Sequence, residues 1–467
     1  MKQETDEVRV SASSLHGQSQ YGSPQAPQSW SMTKKLFHTV IPCLYAFLVT
    51  FGTSISEPGM PGMMVEFHIS RTAAIMNITL YTVGLGIGPL IFAPLSEVYG
   101  RRWIYAIAYT CLLAFTAGAA SSPNFTTLLV CRFLAGLFGS VGIAIGAGTI
   151  ADVWPAGRER AIASLFFVLC PFLAPTLAPL VGIYSMTAHP DSWKRTQWTM
   201  LFMGVPIWPF VLGMRETATD LVELKIRKSI FLPLKMLLTD LIILSLTIHT
   251  SFGYALIFSF FSSFFYILGM DYGFDTKHAS LCLLSLIVGY FCAVCLYIVF
   301  DKCFFTSRNH AVSPVPEKRL YVAILGGFLL LFGEIWYAAG AYRGGHWAIL
   351  VSAGIPLGCG LSSVTYITEI YSAKVVASAI AANGALRYTL GATFPLFTVQ
   401  IYEKLGINWA SAVFAFLSLF LLPTPILLCK YGRRLRSFEG VKAADVEAAN
   451  VDVANFEVRR MSCIHGV

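Results

Sequence analysis

Three charged side chains lie inside, or at the end of, long apolar stretches, where charge is costly. Arg132 stands several residues into one stretch, Glu334 about two thirds along another, and Glu57 at the end of a third. A charge at the centre of a membrane costs on the order of 3 kcal/mol or more unless it is paired or hydrated. The cost indicates a function, and either carboxyl group could bind a proton or a cationic group. Alternatively, Arg132 could bond backbone carbonyls at a helix break, Glu57 could be exposed at the membrane surface, and Glu334 could have no coupling role.

Charges of both signs, with one glycine, also cluster where two apolar stretches end. They are Glu97, Gly100, Arg101, Arg102, Asp152 and Arg160. The glycine permits a tight turn, and the charges predict an ion-pair cluster that holds three helices together at a membrane surface. In the alternative, they only mark the interface and anchor loops, because exposed ion pairs contribute about 0 to 1 kcal/mol.

These residues must be positioned by helices that cross a membrane. Of the 467 residues, 56% are apolar and 12% charged, and the mean hydropathy is +0.65, which excludes a water-soluble globule. Twelve continuous apolar stretches are long enough to cross a hydrocarbon core of about 30 Å as helices, whereas barrel strands would be shorter and alternating. The predicted spans are 37–56, 73–95, 103–120, 126–150, 161–184, 198–214, 238–265, 280–300, 320–341, 346–367, 379–401 and 409–429.

Basic residues predict the orientation of these spans. Twenty Lys and Arg residues flank the spans on one side and six on the other, so the positive-inside rule places the first side and both termini in the cytosol. We interpret the net charge of +8 as this orientation signal, not as a nucleic-acid site. The linker 215–237 divides the chain into six-helix bundles over 37–214 and 238–429, with cytosolic tails over 1–36, which we expect to be disordered, and 430–467.

Several motifs in the spans resemble those of the major facilitator superfamily. The segment from Ala93 to Arg102 resembles motif A, that from Cys131 to Gly136 motif B, and that from Ala174 to Ile183 motif C, the antiporter signature. Motif A has Ala93 and Glu97 in place of Gly and Asp, and motif C has alanines in place of two glycines and ends in Ile183. In the second half, the segments around Glu369, Asn383 and Arg387 extend the resemblance to the fungal drug:proton antiporters, over roughly Phe37 to Arg436.

The resemblance implies an all-α membrane protein with twelve transmembrane helices in two pseudo-symmetric six-helix bundles and alternating access between them. It also implies proton coupling through Arg132, which would lower the proton affinity of a nearby carboxylate or hold water. Glu334 and Glu57 depart from the family pattern, which has small or apolar residues there, and are candidate carboxylates because of their depth in the spans. The charged cluster, with Glu369 added, would form a cytosolic gate. Small residues and prolines of the antiporter motif would let helices approach and bend; they are Ala174, Ala178, Pro179 and Gly182.

Aromatic residues are dense in the seventh span, and we expect most of them to face lipid or to pack the bundle. Tyr254 and Phe258, one helical turn apart, could line an apolar cavity for planar ligands, as small-molecule sites often do. Asn383 and Arg387 are the further candidates for this substrate cavity.

With the resemblance, the sequence predicts proton-coupled efflux of amphipathic organic compounds such as a toxin, another secondary metabolite or a drug. We expect no cofactor, no metal and no covalent chemistry, with the proton gradient as the energy source. The expected partners are a small-molecule substrate and the lipid bilayer, for a monomer in the plasma membrane rather than the vacuole. The alternatives are an importer of a nutrient or siderophore, a passive channel or receptor, and a membrane-embedded enzyme, although His249 and His346 lack the clustered spacing of a metal site.

Overall fold

The computed structural model describes residues 27–155, 158–187, 192–218, 235–300, 320–341, 346–360 and 373–431. All regular secondary structure in these ranges is helical, and helical residues coincide with each of the twelve predicted spans. We number the helices in chain order as α1 (Met32–Phe67), α2 (Arg71–Tyr99), α3 (Arg101–Ala120), α4 (Phe125–Val153), α5 (Arg158–Ser185), α6 (Lys194–Gly204 with Trp208–Leu212), α7 (Leu241–Met270), α8 (Thr276–Phe300), α9 (Leu320–Gly340), α10 (Trp347–Cys359), α11 (Ala373–Leu405) and α12 (Ile407–Tyr431).

Within the described ranges, nine of these helices are long and apolar enough to cross a membrane. The other three, α6, α10 and α11, differ from the nine for separate reasons. A 3-10 turn with Pro206 at its centre interrupts α6, and α10 is described only as far as Gly360, short of its predicted end. Helix α11 has 33 residues but carries polar side chains, among them Asn383 and Arg387 in its middle.

Breaks and tight turns occur where the charged candidates lie. Helix α1 is interrupted after Ser54, and a 3-10 turn at Glu57–Gly59 leads into its last segment. Helices α2 and α3 are joined by Gly100 alone, whose φ of 86° lies in the left-handed region that glycine adopts without strain. We call this end of the bundle the basic end, and the end at which α1 meets α2 the opposite end.

The helices pack within two halves, α1 to α6 and α7 to α12. In the first half α1 packs on α5, α2 on α4, and α3 on α4 and α6; in the second, α7 packs on α11, α8 on α10, and α9 on α10 and α12. The halves meet where α2 contacts α11 and where α5 contacts α8. Buried apolar residues of both halves join in one hydrophobic cluster.

The contact between α2 and α11 extends from the middle of the bundle to the opposite end. There the Thr79 hydroxyl donates to the Ala392 carbonyl over 3.0 Å, and the Gln400 amide donates to the Thr72 hydroxyl over 3.2 Å. Nearer the middle, Gly86 packs so closely on α11 that an added Cβ would lie 3.0 Å from a backbone oxygen. The two halves are therefore in contact along α2 and α11 from the middle of the bundle to the opposite end, and these contacts close the bundle there.

Candidate functional site

Arg132 in α4 lies at the centre of a buried polar group that we call the Arg132 network. Its side chain is 1% exposed. The guanidinium donates to the Gly52 carbonyl over 2.6 Å, to the Asn77 side-chain oxygen over 3.1 Å and to the Gln197 side-chain oxygen over 3.5 Å. One face lies over the Tyr81 ring, 4.1 Å from its centre. Neutral acceptors on α1, α2 and α6 thus satisfy the buried cation, and no carboxylate of the described residues forms an ion pair with it.

The Arg132 network reaches toward Glu57 through the amide of Gln197. This amide donates to the Ser56 hydroxyl over 2.6 Å, and Ser56 precedes Glu57 in the 3-10 turn. Glu57 is half-buried, and the charge of Arg71 at the start of α2 is close enough to act on it. The structure therefore brings two of the predicted coupling residues to one region of the first half, linked by neutral side chains and not by direct contact.

Glu334, the other predicted coupling carboxylate, lies in the second half. It is 4% exposed and close enough to Tyr337 and Tyr402 to act on them electrostatically. The Tyr337 hydroxyl is hydrogen-bonded to Ser263 of α7, and the Tyr402 hydroxyl to Ser411 of α12, both over 3.0 Å. Within the described part of the chain, Glu334 forms no ion pair. A carboxyl group in such a setting can hold a proton without a neighbouring cation.

Three predicted cavity residues meet in a group that we call the Arg387 cluster. The Arg387 guanidinium carbon lies 5.4 Å from the ring centre of Tyr254 and 5.0 Å from that of Tyr388. The ring of Phe258 lies 5.1 Å from that of Tyr254. Gly391, one turn further along α11, lets α7 approach, since an added Cβ would lie 2.9 Å from the Tyr254 ring.

The first half of the bundle completes the Arg387 cluster. The ring of Phe172 in α5 lies 6.0 Å from that of Tyr254 and 5.9 Å from that of Tyr290 in α8. The Thr176 hydroxyl donates to the Tyr290 hydroxyl over 3.4 Å. Phe172, Tyr254, Tyr290 and Arg387 each lie near the middle of their helices, so the cluster sits between the two halves at mid-membrane depth.

Asn383, the fourth predicted cavity residue, lies outside the Arg387 cluster. It is buried one turn nearer the basic end, and its amide donates to Thr250 over 2.8 Å and to Thr247 over 3.3 Å. Both acceptors are on α7. Asn383 therefore ties α11 to α7, with its amide hydrogens used in that contact.

An ion pair joins α3 to α4 at the basic end. The Arg101 Nε lies 2.7 Å from one Asp152 oxygen, and its Nη2 donates to the other over 3.2 Å. The Arg101 Nη1 donates over 3.2 Å to the Ile145 carbonyl, which also accepts from the backbone N–H of Thr149. The guanidinium also occupies the space in which a side chain at Gly148 would stand. The Arg101–Asp152 contact is therefore an ion pair with one hydrogen bond, from Nη2, because the short Nε contact does not have hydrogen-bond geometry.

Glu216, which the motifs did not single out, closes the same region. Its carboxylate accepts hydrogen bonds from the backbone N–H groups of Arg101 over 2.8 Å and Arg102 over 3.1 Å. It thus caps the first turn of α3 after Gly100, where a negative charge is favoured. The signal in the sequence was an acid next to Arg215, directly after the sixth span.

The remaining predicted gate residues lie outside the Arg101–Asp152 ion pair or outside the described part of the chain. Glu97 is half-buried and forms no ion pair with any described residue. Arg160 acts on Asp152 only at longer range, and Arg102 is exposed. Glu369 lies outside the described residues. The described ion-pair cluster is therefore smaller than the sequence predicted, with the Glu216 cap as an addition, and its role as a gate stays a prediction.

The small residues of the antiporter motif are buried in α5. Ala174, Ala178, Pro179 and Gly182 are all inaccessible to solvent or nearly so. A Cβ added to Gly182 would lie 2.7 Å from the Ile55 carbonyl oxygen, just after the break in α1. Helix α5 therefore packs tightly along α1, and its contact with α8 places it at the boundary between the halves.

Comparisons with known proteins agree with this architecture. The family model of the Major Facilitator Superfamily matches residues 43–395. The chain is 30% identical to polyamine transporter 4 of Saccharomyces cerevisiae, covering 88% of the chain and 71% of that protein. It is 31% identical to the efflux pump radE of Floropilus chiversii, covering 89% of this chain and 83% of that protein. The structure of the proton:xylose symporter XylE superposes with a TM-score of 0.66 at 13% identity, covering 86% of this chain and 96% of that one. These matches confirm the predicted fold class and the resemblance to fungal transporters.

Proposed function

The chain belongs to the major facilitator superfamily, and we propose that it is a proton-coupled exporter of amphipathic organic compounds, such as a toxin, another secondary metabolite or a drug. It is a multi-pass membrane transporter and not an enzyme. Similarity to a named efflux pump supports export. The observation that carries the proposal is the position of α5: the helix with the antiporter motif packs on α1 and meets α8 across the boundary between the halves.

The two halves contact each other mainly through α2 with α11 and α5 with α8. Alternating access is the transport mechanism that fits this arrangement. In the structure the contacts between α2 and α11 close the side of the opposite end. Export requires these contacts to open while the basic end closes. The Arg101–Asp152 pair ties α3 to α4, and the Glu216 cap ties the start of α3 to the chain after α6, so that this part of the first half can move as one body.

Proton coupling is assigned to Arg132, Glu57 and Glu334. The carboxyl groups lie in different halves, at depths where a charge is costly. In this proposal a proton entering from outside binds one of them, and its release on the cytosolic side is linked to substrate exit. The Arg132 network keeps a fixed positive charge in the first half, which pairs with no carboxylate among the described residues.

The remaining sequence-based assignments complete the proposal. The halves comprise 37–214 and 238–429 around the linker 215–237, and the tails 1–36 and 430–467 lie in the cytosol. We assign the protein to the plasma membrane as a monomer, with the basic end facing the cytosol in accordance with the positive-inside rule.

Intact cells that express the protein test the proposal through the direction of flux. The probes are three fluorescent anthracenes that carry a carboxylate, a carboxamide or a methylamine group. Export predicts that loaded cells lose at least one probe faster than cells without the protein, and that a protonophore abolishes the difference. Faster accumulation would identify an importer, and efflux that is unaffected by the protonophore would contradict proton coupling. No effect on any probe would count against an exporter of this substrate class.

A further inference from the structure

Arg387 is a cation inside the bundle whose hydrogen-bonding capacity is largely unused. A guanidinium has five N–H donors. Among the described residues it forms no ion pair, its contact with the Tyr388 hydroxyl is long at 3.5 Å, and its buried Nε has no acceptor. Such a cation at mid-membrane depth is costly and is retained where it binds a substrate or an ion.

A second unused donor lies beside it. The Tyr254 side chain is 2% exposed, and its hydroxyl, although close to that of Tyr388, makes no hydrogen bond of acceptable geometry within the described ranges. The ring of Tyr254 faces the Arg387 guanidinium. Two unused donors on neighbouring helices therefore lie next to each other, and one acidic oxygen between them could accept from both.

The side chains around these donors are aromatic. Phe172 from the first half and Tyr290 from the second present aromatic rings next to Tyr254. Aromatic rings stack well on other planar rings, and the guanidinium repels a cationic ligand. The ligand that satisfies both features is a planar aromatic molecule with a carboxylate or an ionised phenol.

We propose that the Arg387 cluster is a recognition site for planar aromatic acids, in which Arg387 and Tyr254 donate to the acidic oxygen. This inference rests on the proposed function, because it names the substrate class of that transporter. The acid group gives selectivity through charge-assisted hydrogen bonds. The rings of both halves hold the aromatic body, so the ligand contacts the two parts that move against each other.

The test is equilibrium binding to the full chain in nanodiscs of neutral phospholipid, measured by fluorescence anisotropy of the same three anthracenes. We expect the carboxylate to bind about tenfold more tightly than the carboxamide, since one charge-assisted hydrogen bond supplies that factor. Arg387→Gln should lower the carboxylate affinity by about tenfold and the carboxamide affinity by less than about twofold. Tyr254→Phe should lower the carboxylate affinity by about threefold and leave the carboxamide affinity unchanged.

Two further variants guard against misfolding and against a general effect of charge. Arg387→Lys keeps the charge but loses the planar donor fork, so its carboxylate affinity should fall between those of the wild type and Arg387→Gln. Lys404→Gln removes a positive charge at the exposed end of the same helix and should leave all affinities unchanged. If Arg387→Gln does not fold, Arg387→Lys and Tyr254→Phe test the proposal in its place. In both variants the affinity for the carboxylate should fall more than the affinity for the carboxamide.

Several results would overturn the assignment. They are failure of the carboxylate to bind the wild type, equal affinity for carboxylate and carboxamide, tighter binding of the methylamine, and equal loss of both affinities in the variants. Binding needs no proton gradient, so the two proposals can fail separately. Selective binding without proton-dependent efflux removes the exporter and leaves the site, whereas efflux of the carboxamide or methylamine alone removes the site and leaves the exporter.

Discussion

The two arginines in the middle of the bundle have opposite surroundings. Arg132 donates to oxygens of three residues and lies on an aromatic ring, whereas Arg387 lies between two rings with a buried N–H group that has no acceptor among the described residues. For the first, the protein supplies an acceptor to each of the three guanidinium nitrogens. The second is held in place without being satisfied. The same side chain can therefore stabilise one half or receive a ligand, according to the acceptors that the fold supplies.

The largest expected effect is a difference in the stability of the protein between variants of the two arginines. Arg132→Gln leaves buried acceptors without donors and should lower the free energy of unfolding by about 3 kcal/mol. Arg387→Gln removes few bonds and should change it by less than about 1 kcal/mol. Thermal unfolding of both variants in nanodiscs measures the difference. Equal losses in the two variants would contradict the comparison.

A third arginine, whose partner is a carboxylate, sharpens the comparison. Asp152→Asn leaves the Arg101 charge without its partner at the basic end, where the two side chains are only 18% and 19% exposed. We expect transport of the anthracene carboxylate to fall by about tenfold because a partly buried ion pair is lost, with unchanged insertion into the membrane.

The matched control for Asp152→Asn lies at the opposite end. Lys194 and Glu66 form an ion pair of the same 2.7 Å length, but their side chains are 37% and 41% exposed. Lys194→Gln should change transport by less than about twofold, since exposed pairs contribute about 0 to 1 kcal/mol. Similar losses in both variants would indicate a general response to lost charge.

Glu334 extends the comparison to an acid that has no ion pair among the described residues. Glu334→Gln keeps the shape and removes the titratable proton, so efflux should lose most of its dependence on the pH gradient, with gradient-driven flux reduced by about fivefold. Flux is measured over a series of imposed gradients. Glu403→Gln, at the exposed end of α11, is the control. An unaltered dependence in Glu334→Gln would remove Glu334 from proton coupling.

The smallest effect is expected at Glu97, which the sequence placed in the ion-pair cluster. Because it forms no ion pair with a described residue, Glu97→Gln should reduce transport by less than about twofold, well below the effect of Asp152→Asn. The same flux assay compares the two. A loss as large as that of Asp152→Asn would show that Glu97 acts in another state of the transport cycle.

The sequence predicted the helices better than the contacts of their polar residues. Spans follow from the lengths of apolar stretches, which is why Arg132 and Glu334 could be placed inside the membrane. The partners of Arg132 could not be predicted, because Gly52 and Gln197 are distant in the chain and meet it only through packing. Glu216 was missed for the same reason, since its capping role depends on the end of the sixth span reaching the start of α3.

The sequence also did not determine every helix boundary or the environment of every polar residue. The polar residues of α11 made the predicted span 379–401 shorter than the helix Ala373–Leu405, because hydropathy marks only the lipid-compatible part of a helix. Asn383 and Arg387 lie one turn apart on this helix and looked equivalent in the sequence. Their environments differ because Asn383 donates to two threonine hydroxyls of α7, whereas Arg387 lies over the rings of two tyrosines.

Coupling between substrate and protons is tested most directly in proteoliposomes that contain the purified chain and a trapped pH-sensitive dye. Anthracene carboxylate is added outside, with no initial pH gradient. An antiporter exchanges entering substrate for protons that leave, so the lumen should become alkaline, and Arg387→Gln should suppress the change. Acidification beyond that of protein-free liposomes, into which the neutral protonated acid diffuses, would identify a symporter, and protein-dependent substrate entry without any pH change would contradict the proton-coupled exporter.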